Sequence, residues 1–500
     1  MYNYITKSFS EKFDWLLGKT TLMCLLIFCL NFVLKTIYIT ATPLSGDEPF
    51  SVYMSQMRVG VIWEYLFTGN NPPLYEIILH YWVNCFGVGE FSVRIFSVII
   101  SSLTGVFIYK IGFRFFNKQV ALTASILFLF SNYHTFFSHE ARCYTMLGLF
   151  TAASFYFFLH IIMGKPKKVT MACYILVNTL ILYLHYFGAW VLFSQAIASV
   201  LVHFIYKRKI RAIIVSNFMV CLFYAPVLYI LFQKISLDKN WDYSWLGKVT
   251  GLEPLYDMIW AFSNVPVSAV FCLVVLAISV FLLASKKIKA SIPGVIILSW
   301  FFIIYILMFV VSFRIPMFHN RYVMPAAIAF PILMAYGAFI VSQLKYIKYV
   351  YIVMLCLFIV TSNFNPQPNL QTEQMVNLVK QNKNDEKCIV FFQPQWNLLG
   401  FCYYYDRELF KRVDEKSLYK NIETALSNKQ IYGVNTTDEK VFLQLENYNK
   451  IIFIDTDHGT CFPGNHIQNL LGAKYQMVSH NPDTLGFGYY IYLKPTNGPQ

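Results

Sequence analysis

Between positions 20 and 363 the chain is a succession of apolar runs of roughly 20 residues, each long enough to cross ~30 Å of hydrocarbon. Of the 500 residues, 57% are hydrophobic and 13% charged, whereas a soluble domain carries about a quarter charged residues. The pattern predicts an α-helical polytopic membrane protein. We place eleven spans near 20–41, 93–112, 119–137, 143–163, 170–184, 187–205, 212–233, 265–285, 292–312, 322–342 and 349–363. The first run is too long for the apolar core of a signal peptide and no small-x-small cleavage site follows it, so it reads as a retained anchor.

The net charge of +14 reports topology rather than a nucleic-acid partner. Alternate connections carry Lys110, Arg114, Lys118; Lys165, Lys167, Lys168; Lys207, Arg208, Lys209, Arg211; Lys286, Lys287, Lys289; and Lys345, Lys348, with no acidic residue among them. Every acidic residue from Asp47 to Asp257 falls in the other connections. The positive-inside rule then puts the amino terminus and the basic loops in the cytoplasm. One apolar stretch, 73–87, is short and contains Glu76, His80 and Asn84. Counting it as a span would move every later basic cluster outside, so it is expected to lie in the outer interface as an amphipathic helix.

The composition changes after Thr361. A Pro/Asn-rich linker over 364–371 leads into a polar, mixed-charge segment, 372–500. There 388–392, 450–457 and 488–493 read as strands, and 396–405 and 465–473 as helices. The domains expected are a membrane domain over 1–363, whose first outer loop spans 42–92, and an extracytoplasmic α/β domain over 372–500. Of the eleven cysteines, Cys388, Cys402 and Cys461 lie in that outer domain, enough for at most one disulfide.

Unusual polar residues gather at outer span ends. Asp47 and Glu48 follow the first span, where carboxylates near a bilayer are costly and tend to be placed for a reason. Further along come Tyr75, His139, Glu140, Arg142, Tyr144, His185, Arg314, His319, Arg321 and Tyr322, with Lys35 one turn inside the first span. Each has a plain alternative. The acidic pair, followed by Pro49, could cap a helix, and Lys35 and the arginines could reach for lipid headgroups. The three histidines lack the helical spacing of a metal site, and WDYSW at 241–245 fits an aromatic belt as well as a sugar platform. Span interiors hold almost no ionisable residues, which argues against an ion-coupled transporter.

The ordered set Asp47 and Glu48; Asn71, Pro72, Pro73, Leu74, Tyr75; Gly89, Glu90, Phe91 with Arg94; Glu140, Ala141, Arg142 with Tyr144; and Arg321, Tyr322 with Pro325 resembles the GT-C glycosyltransferases. That superfamily includes protein O-mannosyltransferases and lipid A aminoarabinose transferases, with many family 39-like bacterial members. The resemblance spans roughly 20–345. It implies transfer of a single sugar from a polyprenyl-phosphate donor, on the outer face, to a lipid, cell-envelope glycan or protein. Asp47 would be the catalytic carboxylate, with Glu48 beside it. Arg142, Arg321, Tyr322, Tyr144, Asn71, Lys35 and Arg94 would serve the lipid phosphate. Where some relatives carry Glu-Lys before the prolines, this chain has Asn70 and Asn71, so Lys35 or Arg94 would substitute. His139, Glu140, His185, His319 and Tyr75 complete the candidate set.

Sugar transfer from a phosphate to a hydroxyl needs a base, cations for the leaving phosphate, and exclusion of water. Arginines alone can neutralise a monophosphate, so no cofactor is required and a divalent metal has no support in the sequence. In-line attack would invert the anomeric centre. The alternatives are a diphosphate-linked donor, a lipid-sugar or polysaccharide flippase, and a sensor using the outer domain. Short loops and the aromatic, Lys/Asn-rich composition fit a bacterial cytoplasmic membrane. The outer domain is expected to recognise the acceptor.

Overall fold

The computed structural model describes residues 20–68, 72–237, 249–365, 371–383, 387–437, 440–456, 466–481 and 487–495. Asn70, Asn71, the 241–245 stretch and Cys461 lie outside them. Two compact units result. One comprises Met1–Ile39, Glu64–Tyr75 and Arg94–Pro366; the other comprises Thr40–Trp63, Glu76–Val93 and Gln367–Gln500. In this division 40–63 and 76–93 group with 367–500. Most of the first outer loop belongs to the same compact body as the carboxy-terminal domain.

Among its described residues, the first unit is built of helices and their connections. Among the described residues, seven helices are long and apolar enough to cross a membrane: Glu90–Phe115, Tyr144–Met163, Tyr186–Tyr206, Arg211–Tyr229, Pro266–Ala284, Ile292–Val311 and Met324–Val341. An eighth crossing is the pair Lys118–Leu129 and Asn132–Ser138, bent by 58°, and Thr20–Thr36, Lys168–Leu184 and Val350–Val360 are shorter apolar helices. Each of the expected runs thus has its helix, and the chain is an integral, multi-pass membrane protein.

Met324–Val341 is the centre of this unit, with 94% of its apolar window buried. It packs against Lys118–Leu129, Tyr144–Met163, Pro266–Ala284 and Ile292–Val311. Lipid supplies no hydrophobic drive between helices, so association depends on close approach and polar pairing. Gly112 supplies the first: a Cβ there would lie 2.5 Å from the Ala121 Cα. A seam of neutral side chains supplies the second. Tyr174 donates to Gln195 Oε1 (2.7 Å), Gln195 donates to Ser154 Oγ (2.7 Å), and Ser154 donates to Asn178 Oδ1 (2.8 Å).

The bend between Leu129 and Asn132 frees backbone groups that lipid cannot satisfy. Asn264 takes them: its Oδ1 accepts the Asn132 N–H (2.8 Å) and its Nδ2 donates to the Phe130 carbonyl (2.9 Å). Asn264 itself sits at φ +72°, a left-handed conformation that Asn tolerates better than most residues.

The second unit contains a five-stranded sheet of β1 (Cys388–Gln393), β2 (Ile431–Gly433), β3 (Lys450–Asp455), β4 (Gln476–Asn481) and β5 (Gly488–Leu493) in the order β2-β1-β3-β5-β4. β1 runs parallel to β2 and β3, while β5 is antiparallel to β3 and β4. β1 is buried along its whole length, as its unbroken apolar run requires. Its three expected strands are present, within a residue or two at their ends; the short β2 and the polar β4 had no apolar signature. Cys388 and Cys402 are buried, unbridged thiols. The 73–87 stretch forms the helix Leu74–Phe86, with Tyr81 and Phe86 exposed.

Asn264→Ala should destabilise the protein by about 1–3 kcal/mol, because it strands backbone groups at the bend. Thermal unfolding in detergent micelles would register this as a lowered Tm; an unchanged Tm would mean that the bend is held elsewhere.

Candidate active site

In the first unit, two turns carry the basic motifs. Arg142 lies in the turn between Asn132–Ser138 and Tyr144–Met163. Arg321 and Tyr322 precede Met324–Val341, where Pro325 in the first turn favours a helix start. The Pro325 carbonyl accepts the Trp300 indole N–H (2.8 Å), and Trp300 stacks on Phe155 with ring centroids 3.8 Å apart. Tyr133 donates to the Asn320 carbonyl, tying the bent helix pair to the Arg321 turn.

These turns meet at His185, in the connection after Lys168–Leu184. Its ring centroid lies 5.6 Å from Tyr322 and 6.4 Å from Tyr144. His319 stands 5.9 Å from Tyr322 on the other side, and the Arg321 guanidinium is 5.2 Å from the same ring. Burial, then the Arg142 and Arg321 charges, pushes the His185 pKa down to about 3. Burial and Arg321 bring that of His319 down to about 4. Both imidazoles are therefore neutral at pH 7. The Phe187 N–H donates to His185 Nδ1 (3.1 Å), which leaves the proton on Nε2 as a donor.

Arg142 is buried and Arg321 half-buried. Among the described residues, no three His, Cys, Asp or Glu side chains group as a metal site.

Beside this cluster is a second one. Lys35 is fully buried; its Nζ donates to Ser101 Oγ (3.0 Å) and lies 3.9 Å from the Phe128 ring centroid. Its burial rules out the headgroup-seeking alternative. His139 Nε2 donates to the Lys35 carbonyl (2.7 Å), Arg94 to the Ile39 carbonyl (3.1 Å), and Ser97 to the Glu140 carbonyl (2.7 Å). The ends of the first and third spans are thereby held together. Tyr75 is buried, with its ring centroid 6.4 Å from Phe96. Ser101 and Phe128 gave no signal in the sequence, being ordinary residues of apolar runs.

The acidic pair belongs to the second unit, and its members have different surroundings. Asp47 occupies the N-cap position of the helix Glu48–Met54, but its side chain makes no capping bond. Glu48 instead closes the turn ahead of the helix: its Oε2 accepts the Ser45 N–H (3.1 Å). Glu48 is buried and Asp47 exposed, so the two carboxylates have different surroundings although they are adjacent in the chain. Asn71 lies outside the described residues.

The fold is that of the GT-C membrane glycosyltransferases. Residues 70–232 match the family model of dolichyl-phosphate-mannose-protein mannosyltransferase, a segment that holds the Tyr75, Arg94 and Arg142 motifs but neither Asp47 nor Arg321. Among solved structures, ArnT from Cupriavidus metallidurans bound to undecaprenyl phosphate is 12% identical with a TM-score of 0.54, over 95% of this chain and 99% of that one. Its apo state gives a TM-score of 0.56 at 12% identity, over 96% and 99%. The archaeal oligosaccharyltransferase AglB from Archaeoglobus fulgidus, in complex with an inhibitory peptide and a dolichol-phosphate, is 10% identical with a TM-score of 0.53, over 96% of this chain and 75% of that one. No curated protein matches the chain in sequence.

The depressed histidines make stability pH-dependent. The unfolded chain takes up these protons near pH 6.5, whereas the folded protein resists them down to about 4 for His319 and about 3 for His185. Their contribution is present above pH 6.5 and lost as the pH falls toward those values. The Tm should therefore drop between pH 7 and 4.5, and His185→Gln should flatten that drop; an equal slope in the variant would show that the fold does not lower the His185 pKa.

Proposed function

We propose that this protein transfers one sugar from a polyprenyl-phosphate donor to an acceptor hydroxyl, working at the membrane interface. The observation that carries this reading is the convergence of Arg142, Arg321, neutral His185 and Tyr322 into a buried cationic site. Such a site suits a monophosphate whose negative charge grows as the glycosidic bond breaks. The apolar tail of the donor would remain in the bilayer. The ArnT neighbour bound to undecaprenyl phosphate and AglB bound to a dolichol-phosphate support a lipid-phosphate carrier.

In this mechanism Asp47 removes the acceptor proton as the hydroxyl attacks the anomeric carbon, inverting it, while Glu48 shapes the turn. The arginines take up the charge of the departing polyprenyl phosphate, and His185 Nε2–H and the tyrosine hydroxyls supply neutral donors. No cofactor is needed for this charge balance. With the basic loops in the cytoplasm, the reaction faces outward from a bacterial inner membrane, and the carboxy-terminal domain meets the lipid, glycan or protein acceptor there.

The test uses purified protein in liposomes with a panel of labelled polyprenyl-phosphate sugars, following release of polyprenyl phosphate. Asp47→Asn should lower turnover by about 10²–10⁴-fold, and Arg142→Ala or Arg321→Ala by about 10²–10³-fold. Full turnover by Asp47→Asn would transfer the base role to Glu48 or Glu140. Movement of lipid between leaflets without release of polyprenyl phosphate would make the protein a flippase.

A further inference from the structure

The helix Leu398–Tyr405 of the carboxy-terminal segment is bound to the segment that carries Asp47, within the second unit. Tyr404 Oη accepts the Leu44 N–H (2.5 Å) and donates to Glu90 Oε1 (2.6 Å). One hydroxyl thus joins the backbone three residues before Asp47 to a carboxylate that is 43 positions further along the chain. Around it, Tyr403 donates to the Val88 carbonyl (2.9 Å), as does Arg407 (3.2 Å), whose guanidinium lies over the Tyr403 ring. Gly400 faces Pro49, the residue after Glu48: a Cβ at Gly400 would lie 3.5 Å from the Pro49 ring. The turn itself is tight, with Gly46 at φ +55° and the Ser45 N–H on Glu48. Burial and the Glu90 carboxylate hold the Tyr404 phenol well above its usual range, so it stays a donor to Glu90.

Glu90 opens the helix Glu90–Phe115, and in the sequence it belonged to a motif with no assigned role. Its partner tyrosine lies in a segment where the family resemblance says little.

We propose that Tyr404 and Glu90 are positioning residues for Asp47: the hydroxyl clamps Leu44, and through it the 44–48 turn, so that the carboxylate is presented in one place. This rests on the reading of Asp47 as the base. The carboxy-terminal domain then acts on the chemical step itself, in addition to any contact with acceptor. A free Leu44 amide would let the glycine-containing turn wander, and displacement of a reacting group by about 1 Å can cost on the order of 10²-fold in rate.

The experiment compares full-length wild type, Tyr404→Phe, Glu90→Ala and the double variant in lipid nanodiscs. Hydrogen exchange read by mass spectrometry should show peptides covering 42–50 exchanging about tenfold faster in Tyr404→Phe, the loss of one buried hydrogen-bond partner, with β1 unchanged. With the polyprenyl-phosphate sugar that wild type turns over, kcat should fall about 10–100-fold while the donor KM stays within about twofold. The double variant should be no slower than the worse single variant, because the two residues act through one hydroxyl. Unchanged exchange at 42–50 overturns the clamp. Faster exchange with unchanged kcat overturns its positioning role, as does a loss confined to KM or additive losses in the double variant. If Asp47→Asn retains full activity, the base assignment fails, and the exchange measurement still decides whether the clamp exists. Should Tyr404→Phe not fold, Glu90→Ala carries the same readouts.

Discussion

The bent crossing Lys118–Leu129 and Asn132–Ser138 governs the membrane unit, because a broken helix in hydrocarbon must find partners for every backbone group it releases. Asn264 provides them, and Ser131 caps the second segment. With the bend secured, the chain ends its third crossing in a turn rather than a straight exit. That turn holds His139, Glu140 and Arg142. Hydrogen bonds from His139 to Lys35 O and from Ser97 to Glu140 O then fix it against two neighbouring helices.

The electrostatics of the site follow from that placement. Arg142 and Arg321 come from turns nearly 180 positions apart, and both act on the same imidazole. Solvent does not reach His185 freely, so the two charges keep it neutral rather than being screened. Neutral His185 and His319 add donors without adding repulsion. The result is a site whose positive charge is supplied by groups that do not release protons near neutral pH. Lys35, by contrast, is spent internally on Ser101 and Phe128.

The acidic pair shows why neighbouring residues of one type need not share a role. Glu48 lies in the first turn of its helix and reaches back to the Ser45 N–H, which closes the turn that precedes the helix. Asp47 is at the cap position with helical backbone angles, and its side chain makes no capping bond there. The turn bearing it is held by residues from 398–407, so the carboxy-terminal segment and the first loop form one body.

The sequence by itself determined where the apolar helices lie and which polar groups stand at their ends, because hydropathy over about 20 residues is a local quantity. It also determined the strands β1, β3 and β5, whose apolar runs are continuous. The candidate residues Arg142, Tyr144, His185, His319, Arg321 and Tyr322 were legible as polar groups in improbable places. Tertiary structure alone decided that Arg142, Tyr144, Arg321 and Tyr322 gather around the His185 imidazole, that Lys35 is buried, that Glu48 holds the Ser45 amide, and that Tyr404 joins Leu44 to Glu90. Those outcomes depend on pairs separated by tens to hundreds of positions, or on side-chain direction at a helix start. A hydrogen bond across such a distance leaves no periodicity to read, since either partner alone is an ordinary tyrosine, serine or backbone amide.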